Sequence, residues 1–346
     1  MARIAINGFG RIGRGFTRLA HKATAEGAIH ARPELELVAI NDLAPVENLA
    51  YLLKYDSVYG RAPFSVTVEG GAIVIDGKKV PILAEKDPAK LPWKDMQVDV
   101  VIESTGFFTS GEKAKAHLDA GAKRVVISAP GKGEGVETIL LGGNEERFAS
   151  AGPVTSNASC TTNAIVPVIG ILDEAIGIER ALLNTTHAYT ASQGIVDGIA
   201  ADDFRRGRAG AINLGPSSTG AAKATALVYP QFKGKFDGIA VRVPVASGSI
   251  ADVTFVAKRA TSVEEVNEAL KKAATTDRWK RVFSVSEEPL VSSDILGLPF
   301  GSIADLTMTR VADGTLVKVL AWYDNEMGYV HTLVEHVIEV AKHLKP

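Results

Sequence analysis

The sequence predicts an α/β protein of two domains, and three observations support this. The 346-residue chain exceeds the length of one average domain. Its first half alternates short apolar runs with helical patterns, which is typical of a parallel sheet with crossover helices. Its second half places long strands in succession, which favours a largely antiparallel sheet with helices on one face. We therefore expect an α/β domain of residues 1–158, completed by 324–346, and an α+β domain of residues 159–323.

The amino-acid composition is that of an ordinary soluble globular protein, and the charge balance limits which kinds of partner we expect. Hydrophobic residues make up 46% and charged residues 23% of the chain, and 38 basic against 40 acidic residues leave a net charge of −2. This balance indicates neither a nucleic-acid nor a membrane-surface partner. The single cysteine cannot form an internal disulfide, and we find no signal peptide and no membrane-spanning run, so we expect a cytoplasmic protein.

The N-terminal segment carries a glycine-rich turn between a predicted strand, residues 3–7, and a helix predicted from Arg11 to about Ala25. In a G-x-G-x-x-G turn the glycines permit a tight bend and the close approach of a pyrophosphate to the helix N-terminus. A strand before the motif and a helix after it predict a Rossmann-type dinucleotide-binding domain. The turn consists of Gly8, Phe9, Gly10, Arg11, Ile12 and Gly13.

An acidic residue at the end of the next strand completes this pattern. The strand of residues 35–40 leads into Asp42, which could accept hydrogen bonds from an adenosine ribose and so favour NAD over NADP. Gly8 and Asp42 are farther apart than the usual ~20 residues, and we attribute the excess to a polar extension at residues 25–33. The alternative for Asp42 is a helix cap or a turn.

Two further strands of the first half, residues 97–103 and 124–128, end in polar side chains. Ligands of parallel sheets bind at the carboxyl ends of the strands. Ser104, Thr105 and Ser128 lie at these ends, so they are candidates for the ligand site.

The second half supplies the strands of the predicted antiparallel sheet. A helix is predicted near residues 220–229, a capping box at 262–265 opens another, and an amphipathic helix at 330–344 closes the chain. The strands are predicted at residues 181–186, 238–245, 250–259, 303–310 and 315–323.

Cys160, the only cysteine, lies in the stretch SNASCTTN of residues 156–163, directly before the apolar run 164–169. Ser, Thr and Asn before an apolar run predict a helix start, with Cys160 in or beside the first turn. Unpaired backbone N–H groups and the helix dipole would lower the thiol pKa there and favour the nucleophilic thiolate. The alternative is a small buried hydrophobic residue.

A nucleophilic thiol needs a base, and His187 is the candidate because it ends a predicted strand in a Thr-rich setting. A structural histidine is the alternative. A thiolate beside a dinucleotide would add to an aldehyde, and the hemithioacetal so formed would lose hydride to the nicotinamide, leaving a thioester. Scattered histidines and one cysteine give no metal-ligand spacing, so no metal site is predicted. Side chains that could hold phosphate oxygens, or be purely structural, are Ser159, Thr161, Thr190, Thr219 and Arg242.

Eight stretches spread over the whole chain together resemble the phosphorylating glyceraldehyde-3-phosphate dehydrogenases. They are INGFGRIGR from Ile6, LLKYDSVYG from Leu52, SNASCTTN from Ser156, HAYT from His187, RRGRAG from Arg205, STGAAKA from Ser218, VRVPV from Val241 and WYDNEMGY from Trp322. The resemblance implies NAD-dependent oxidative phosphorylation of D-glyceraldehyde 3-phosphate to 1,3-bisphosphoglycerate. Cys160 would form the thioester, and His187 would be the base that also orients the oxyanion.

The resemblance also implies the binding residues and the assembly. Thr190 and Arg242 would hold the substrate phosphate, and Arg208 belongs to the same phosphate-binding set. The family is homotetrameric, and its loop at residues 205–211 reaches a neighbour's cofactor. The attacking inorganic phosphate would be held by Ser159, Thr161, Thr219 and Gly220. NAD would be bound by Gly8, Phe9, Gly10, Arg11, Ile12, Gly13, Asp42, Lys86, Thr105, Ser128 and Asn325, with Asn325 fixing the carboxamide.

Several positions depart from the family pattern. Met327 replaces a common tryptophan, which leaves the packing beneath Asn325 open. Gly198-Ile199 replaces a Leu-Pro pair, which leaves NADP use open. The remaining departures are Lys86 for an arginine, Ala191-Ser192 for Asn-Asp, and Ala164 for a second cysteine.

Three rival functions stay open. An erythrose-4-phosphate dehydrogenase would share the Cys–His pair, but the intact HAYT stretch argues against it. An NADP-preferring form would run the reaction biosynthetically. A nucleotide-binding scaffold without catalysis would not need Cys160, His187 and Arg242.

Overall fold

A computed structural model describes residues 1–21, 34–200 and 203–344. The chain divides into two compact units, and the first consists of Met1–Ile139, Glu145–Ala158 and Val330–Pro346. The second consists of Leu140–Asn144 and Ser159–Tyr329. The predicted fold class, an α/β part followed by an α+β part, is confirmed. Residues 140–144 and 324–329 lie in the second unit of this division.

The first unit is built on a nine-stranded sheet of order β10-β11-β9-β8-β1-β2-β7-β6-β5. The strands from β10 to β7 run parallel, and an antiparallel hairpin of β5 and β6 extends the edge. Strands β3 and β4 form a separate pair. The strands are β1 (Ala2–Asn7), β2 (Leu35–Asn41), β3 (Tyr55–Asp56), β4 (Gly60–Arg61), β5 (Val66–Glu69), β6 (Ala72–Ile75), β7 (Lys78–Leu83), β8 (Val100–Glu103), β9 (Arg124–Ile127), β10 (Glu137–Thr138) and β11 (Val154–Ser156).

Besides most of the closing helix, which is described below, the described residues of this unit form the helices α1 (Arg11–Ala20), α2 (Val46–Lys54) and α3 (Gly111–Asp119). Helix α1 ends at Ala20; the predicted continuation to about Ala25 and the polar extension at 25–33 lie outside the described residues. The predicted strand at 97–103 begins only at Val100, because Gln97 adopts a φ of 50° and its N–H closes a turn onto the carbonyl of Lys94.

The second unit is built on a seven-stranded sheet of order β13-β14-β12-β15-β18-β17-β16. Two strand pairs, β12 with β14 and β16 with β17, are parallel, and the others are antiparallel. The elements are α4 (Cys160–Ala175), β12 (Ile178–Ala188), β13 (Gly215–Ser218), α5 (Ala221–Val228), β14 (Phe236–Val243), β15 (Ser249–Ala257), α6 (Val263–Ala274), β16 (Phe283–Ser286), β17 (Ser302–Ala312) and β18 (Leu316–Tyr323).

Helix α4 lies at the centre of the second unit. Its residues from Thr161 to Leu172 are all buried, against strands β12, β15, β17 and β18 and helices α5 and α6. A helix that is apolar on all sides requires such an enclosed position, which explains the continuously apolar run that follows Cys160.

The closing helix α7 covers Met327–Lys342, so it begins three residues before the predicted start at 330. The carboxylate of Asp324 explains this start, because its Oδ1 accepts from the backbone N–H groups of Glu326 and Met327. Helices α4 and α7 have 16 residues each, and no described helix is long and apolar enough to cross a membrane.

We predict that Gly13→Ala destabilises the first unit, because a Cβ at Gly13 would lie 2.4 Å from the carbonyl oxygen of Gly8 and force α1 away from β1. The free energy of unfolding in urea should fall by about 1–3 kcal/mol. Gly10→Ala is the matched control, since no atom lies within 4 Å of its Cβ position. Equal losses in both variants would contradict the close packing at Gly13.

Candidate active site

The loop before α4 fixes where the helix starts. Ala158 has a φ of 53°, and Ser159 follows in an extended conformation. The Oγ of Ser159 accepts a hydrogen bond from the N–H of Thr162 at 3.1 Å, as an N-cap residue does. Cys160 is therefore the first residue of α4, as the sequence predicts.

Strand β12 brings His187 to this helix end. The Sγ of Cys160 lies 3.4 Å from Nε2 of His187, within hydrogen-bonding distance for a sulfur atom. Arg242 is the register neighbour of His187 on β14, and its Nη1 lies 2.7 Å from Nδ1 of His187 and 3.1 Å from the carbonyl oxygen of Ala188. The structure thus brings together a thiol, an imidazole and a guanidinium.

Burial sets the charge of the imidazole. Desolvation, assisted by the positive charge of Arg242, lowers the pKa of His187 to about 4, although the Ala188 carbonyl acts in the opposite direction. At neutral pH the ring is therefore uncharged. A neutral imidazole 3.4 Å from a thiol can accept the thiol proton.

Desolvation also decides the state of the thiol, although Cys160 as a whole residue is only half-buried. This desolvation raises the pKa of Cys160, and this effect exceeds the lowering by the charge of Arg242 and by the hydroxyl and backbone N–H of Thr161. The backbone N–H groups at the helix terminus act in the predicted direction, but the predicted net lowering of this pKa is wrong, because the thiolate loses more hydration than the helix end returns. The thiol carries its proton at neutral pH, and His187 must remove it when the sulfur reacts.

Tyr323 is a site residue that the sequence analysis missed. Its buried hydroxyl lies 2.9 Å from Oγ1 of Thr161 and 2.7 Å from Oγ1 of Thr185. Its ring meets the ring of His187 edge to face, with 5.9 Å between the centroids. The alternation of buried residues along β18 predicts an inward Tyr323 but does not reveal these partners.

The hydroxyl groups predicted to hold phosphate already have local partners. The Ser159 hydroxyl accepts the N-cap hydrogen bond, the Thr161 hydroxyl is hydrogen-bonded to that of Tyr323, and the Thr190 hydroxyl lies 2.9 Å from Oγ of Ser192. Thr219 Oγ1 accepts from the N–H of Ala221 at 3.2 Å. Gly220, the N-cap of α5, has no side chain that could cap the helix, so Thr219 takes only the N–H of Ala221 and the helix N-terminus stays suited to an anion.

The arginine beside Arg242 is Arg206 and not Arg208. Arg206 donates from Nε to Ser217 Oγ on β13 at 3.0 Å, and its positive charge contributes to lowering the pKa of Arg242. Arg208 is exposed and donates to Asp197 at 2.7 Å. The structure therefore does not place Arg208 with the thiol and imidazole, and the phosphate-binding role expected of it stays a prediction.

Asn325 is held in one orientation at the end of β18. Its Oδ1 accepts from Gly248 N–H at 3.1 Å and from Ser249 Oγ at 2.8 Å. The Ser249 hydroxyl also accepts from the N–H of Ala188, which links Asn325 to the strand end that carries His187. The fixed oxygen leaves Nδ2 as the group that could donate to a carboxamide oxygen. Met327, half-buried, begins α7 two residues later.

The first unit holds a cavity of about 370 Å³ at the carboxyl ends of its parallel strands. Of the predicted cofactor and ligand-site residues, this cavity is lined by Gly8, Gly10, Asp42, Lys86, Ser104 and Thr105. The cavity also has lining residues that the sequence analysis did not single out as cofactor ligands, namely Asn7, Asn41, Leu43, Glu85, Phe107 and Phe108.

The glycine-rich turn fits a pyrophosphate on steric grounds. A Cβ at Gly8, whose φ is 93°, would lie 2.7 Å from the backbone nitrogen of Thr105. Gly10 has no atom within 4 Å of its Cβ position and faces open space at the N-terminus of α1. The turn is therefore packed on one side and open on the other, as a phosphate cradle requires.

Asp42 both builds the turn and lines the cavity. Its Oδ2 accepts from Phe9 N–H at 2.7 Å and its Oδ1 from Ala44 N–H at 3.0 Å. Asp42 therefore stabilises a turn, which was the alternative considered from the sequence, and its carboxylate also borders the cavity. Its lone pairs beyond these two bonds can accept from ribose hydroxyls.

The other predicted cofactor residues do not line this cavity. The side chain of Phe9 is buried in the core, and Arg11 pairs with Asp56. Ile12 is half-buried in the first turn of α1, and Ser128 follows β9. Among the described residues, no cluster of three or more His, Cys, Asp or Glu side chains could hold a metal ion.

We predict that Arg242→Gln slows alkylation of Cys160 by iodoacetamide. Removing the cation that favours the thiolate raises the thiol pKa further, so the profile of rate against pH shifts upward and the rate near pH 8 falls by about 3–10-fold. Mass spectrometry reports one labelled residue, because the chain has one cysteine. Arg208→Gln is the control and should not change the rate, and an unchanged rate in Arg242→Gln would contradict the electrostatic role.

Comparison with known proteins places these features in a family. Residues 2–111 match the model of the glyceraldehyde 3-phosphate dehydrogenase NAD binding domain, and residues 159–325 match that of the C-terminal domain. Glyceraldehyde-3-phosphate dehydrogenase of Thermotoga maritima is 50% identical over 335 residues, covering 97% of this chain and 98% of its own. The enzyme of Zymomonas mobilis is 48% identical over 344 residues, covering 99% of each chain. The chain therefore belongs to the glyceraldehyde-3-phosphate dehydrogenase family, as its motifs predicted.

Proposed function

We propose that this chain catalyses the NAD-dependent oxidative phosphorylation of D-glyceraldehyde 3-phosphate to 1,3-bisphosphoglycerate. The observation that carries the proposal is the 3.4 Å contact between Cys160 Sγ and His187 Nε2 at the start of α4. Membership of the family and the names of the relatives in Zymomonas mobilis and Thermotoga maritima support the choice of substrate. The same features support Cys160 as nucleophile and His187 as base.

The residues perform the chemistry in two stages. Nε2 of His187 accepts the thiol proton while Sγ of Cys160 bonds to the aldehyde carbon, and the carbonyl electron pair moves onto oxygen. The protonated imidazole stabilises this oxyanion. As the C=O bond re-forms, hydride leaves the carbon and a thioester remains on Cys160. NAD, when bound, supplies the acceptor of that hydride. An oxygen of inorganic phosphate then attacks the thioester and loses its proton to solvent, the C–S bond breaks, the sulfur takes back its proton from the imidazolium, and the acyl phosphate leaves.

The tautomer of His187 matters for the first proton transfer. Nε2 can accept only if Nδ1 carries the proton, and two groups act on Nδ1 in opposite ways. The carbonyl oxygen of Ala188, 2.7 Å from Nδ1, favours a proton there, whereas Nη1 of Arg242, also 2.7 Å away, can only donate and favours the other tautomer. The base role therefore requires that Nη1 of Arg242 donates to the Ala188 carbonyl, 3.1 Å away, and leaves Nδ1 protonated. Burial keeps the ring neutral, because its pKa lies at about 4. The base is therefore available across the neutral range.

Arginines and hydroxyl groups serve the two phosphate groups in this proposal. Arg242 and Thr190 hold the phosphate of the substrate, and Arg206 takes the role that the sequence gave to Arg208. Thr161 and the N-terminal N–H groups of α5 at Gly220 bind the attacking phosphate, because a helix N-terminus favours an anion. Ser159 and Thr219 contribute mainly by shaping these helix ends.

For the cofactor we propose NAD rather than NADP. The carboxylate of Asp42 borders the first unit's cavity, where it would accept from ribose hydroxyls and repel a 2′-phosphate. Lys86 is an exposed cation that also borders this cavity, and its charge would act against the preference set by Asp42. Asn325 would fix the carboxamide through Nδ2.

We further propose that the protein is a cytoplasmic homotetramer. Large apolar side chains are exposed on one face of neighbouring strands β12 and β14, namely Leu182 at 65% and Ile239 at 53% exposure. Phe204, in the loop that carries Arg206, is 87% exposed. Such side chains are typical of surfaces that associate with another copy.

The proposed activity predicts NADH formation that depends on both glyceraldehyde 3-phosphate and inorganic phosphate. Cys160→Ser should lower the initial rate by roughly a thousandfold or more, because a serine hydroxyl is a poor nucleophile without a strong base. NAD binding should persist in this variant, which controls for folding. A rate only with NADP, or only with erythrose 4-phosphate, would favour a rival enzyme, and no rate with any pair would favour the scaffold.

The reassignment of the phosphate-binding arginine predicts a difference between two neighbouring variants. Arg206→Gln should raise the KM for glyceraldehyde 3-phosphate about tenfold or more, because a charge-assisted hydrogen bond to the substrate phosphate is lost. Arg208→Gln, which removes an exposed arginine paired with Asp197, should leave that KM within about twofold. The reverse pattern would restore the assignment made from the sequence.

A further inference from the structure

A chain of buried polar side chains lies behind the cavity of the first unit, and the proposed reaction does not use it. Trp93, Glu103 and His117 are almost completely buried. Trp93 Nε1 lies 3.0 Å from His117 Nδ1, and His117 Nε2 lies 3.0 Å from Glu103 Oε2. The side chain of Glu103 also accepts from Asn7 Nδ2 at 2.6 Å. The chain therefore joins a loop, a helix and two strand ends.

The donors in this chain fix its proton positions. An indole Nε1–H can only donate, so Nδ1 of His117 is an acceptor and carries no proton. Nε2 must then hold the single proton of a neutral ring and donate it to Glu103. Trp93 thus selects the tautomer of His117 through one hydrogen bond.

Glu103 receives four hydrogen bonds from neutral groups. Oε2 accepts from His117 and Asn7, and Oε1 accepts from the N–H of Thr105 at 2.8 Å and from its hydroxyl. A buried carboxylate is tolerated only when its oxygens are satisfied in this way. The same bonds hold Thr105 in place.

The chain ends on residues that line the cavity. Asn41 Nδ2 donates to Asn7 Oδ1 at 2.7 Å, and Asn41 Oδ1 accepts from the N–H of Glu85 at 2.9 Å. Asn7, Asn41, Glu85 and Thr105 all line the cavity, whereas Trp93, Glu103 and His117 do not. Glu103 thereby sets the orientation of the Asn7 amide from behind the cavity wall, and Asn7 and Glu85 in turn set that of Asn41.

We propose that Trp93, His117 and Glu103 are positioning residues that preorganise the cofactor cavity through Asn7 and Thr105. This inference rests on the proposed function only in that NAD is the ligand of the cavity. Glu103 acts as the shared acceptor, His117 orients its carboxylate, and Trp93 holds His117 in the donating tautomer. Preorganised polar groups lower the ordering cost of binding, so loss of the chain weakens NAD binding.

The first test is the dissociation constant of NAD, measured by calorimetry on the full chain without substrate. Glu103→Gln puts an amide donor against the donors of Asn7 or Thr105, and we expect about a tenfold weaker affinity. Trp93→Phe keeps an aromatic ring but removes the donor to His117, and a loss of about threefold or more is expected. Trp279→Phe, at a buried tryptophan of the second unit, is the matched control and should not change the affinity.

Two substitutions of His117 distinguish a positioning role, which needs a hydrogen-bond donor, from a packing role, which needs only the volume of the side chain. His117→Gln retains a donor near the position of Nε2, whereas His117→Met has similar length and no donor. The proposal expects NAD affinity in His117→Gln to exceed that in His117→Met by about threefold or more. Equal affinities in these two variants would show that only the volume of His117 matters, and would overturn the proposal.

Nuclear magnetic resonance of 15N-labelled histidine tests the tautomer independently of any variant that fails to fold. The chain has seven histidines, and the signal of His117 is the one absent from His117→Gln. A protonated Nε2 and an acceptor Nδ1 support the proposal, and a protonated Nδ1 overturns it. Unchanged NAD affinity in both Glu103→Gln and Trp93→Phe would also overturn it. NAD binding by the parent chain without turnover would instead count against the proposed reaction alone.

Discussion

The hydrogen bond from Thr162 N–H to Ser159 Oγ fixes the residue at which α4 begins, and the chemistry of the second unit depends on that register. An N-cap contributes only about 1 kcal/mol, far less than the burial of an apolar helix of this length. Its importance is therefore geometric. A start one residue later would turn Cys160 by about 100° around the helix axis and remove its sulfur from His187.

The same burial that stabilises α4 determines which form of the Cys160–His187 pair is present. Desolvation lowers the pKa of His187 to about 4 and raises that of Cys160, so both effects favour the neutral pair over the ion pair. Arg242 acts on the two groups in opposite ways, since its charge favours the thiolate and disfavours the imidazolium. The proton therefore stays on sulfur until an electrophile arrives, and the base is never lost to protonation near neutral pH.

The sequence predicted those parts of the site that depend on neighbouring residues. The start of α4, the glycine-rich turn and the strand that ends near His187 all follow from local patterns. Arg206 and Tyr323 could not be found this way. Within RRGRAG, only the loop conformation decides which arginine points towards Arg242, and the partners of Tyr323 lie more than a hundred residues away. The predicted direction of the Cys160 pKa shift was wrong, because a sequence shows that a thiol lies at a helix end but not how strongly the fold removes it from water.

Glu103 and His187 are both buried, but they differ in the number of hydrogen-bond partners that surround them, and this difference matches their proposed roles. Glu103 has four donors for its two oxygens, so it can remain in place as a fixed acceptor beneath the cavity wall. Nε2 of His187 faces only the sulfur of Cys160 among the groups described at this nitrogen. An imidazole with that single, weak partner gains most when the thiol proton moves to it. Full satisfaction thus suits a positioning residue, and incomplete satisfaction suits a base.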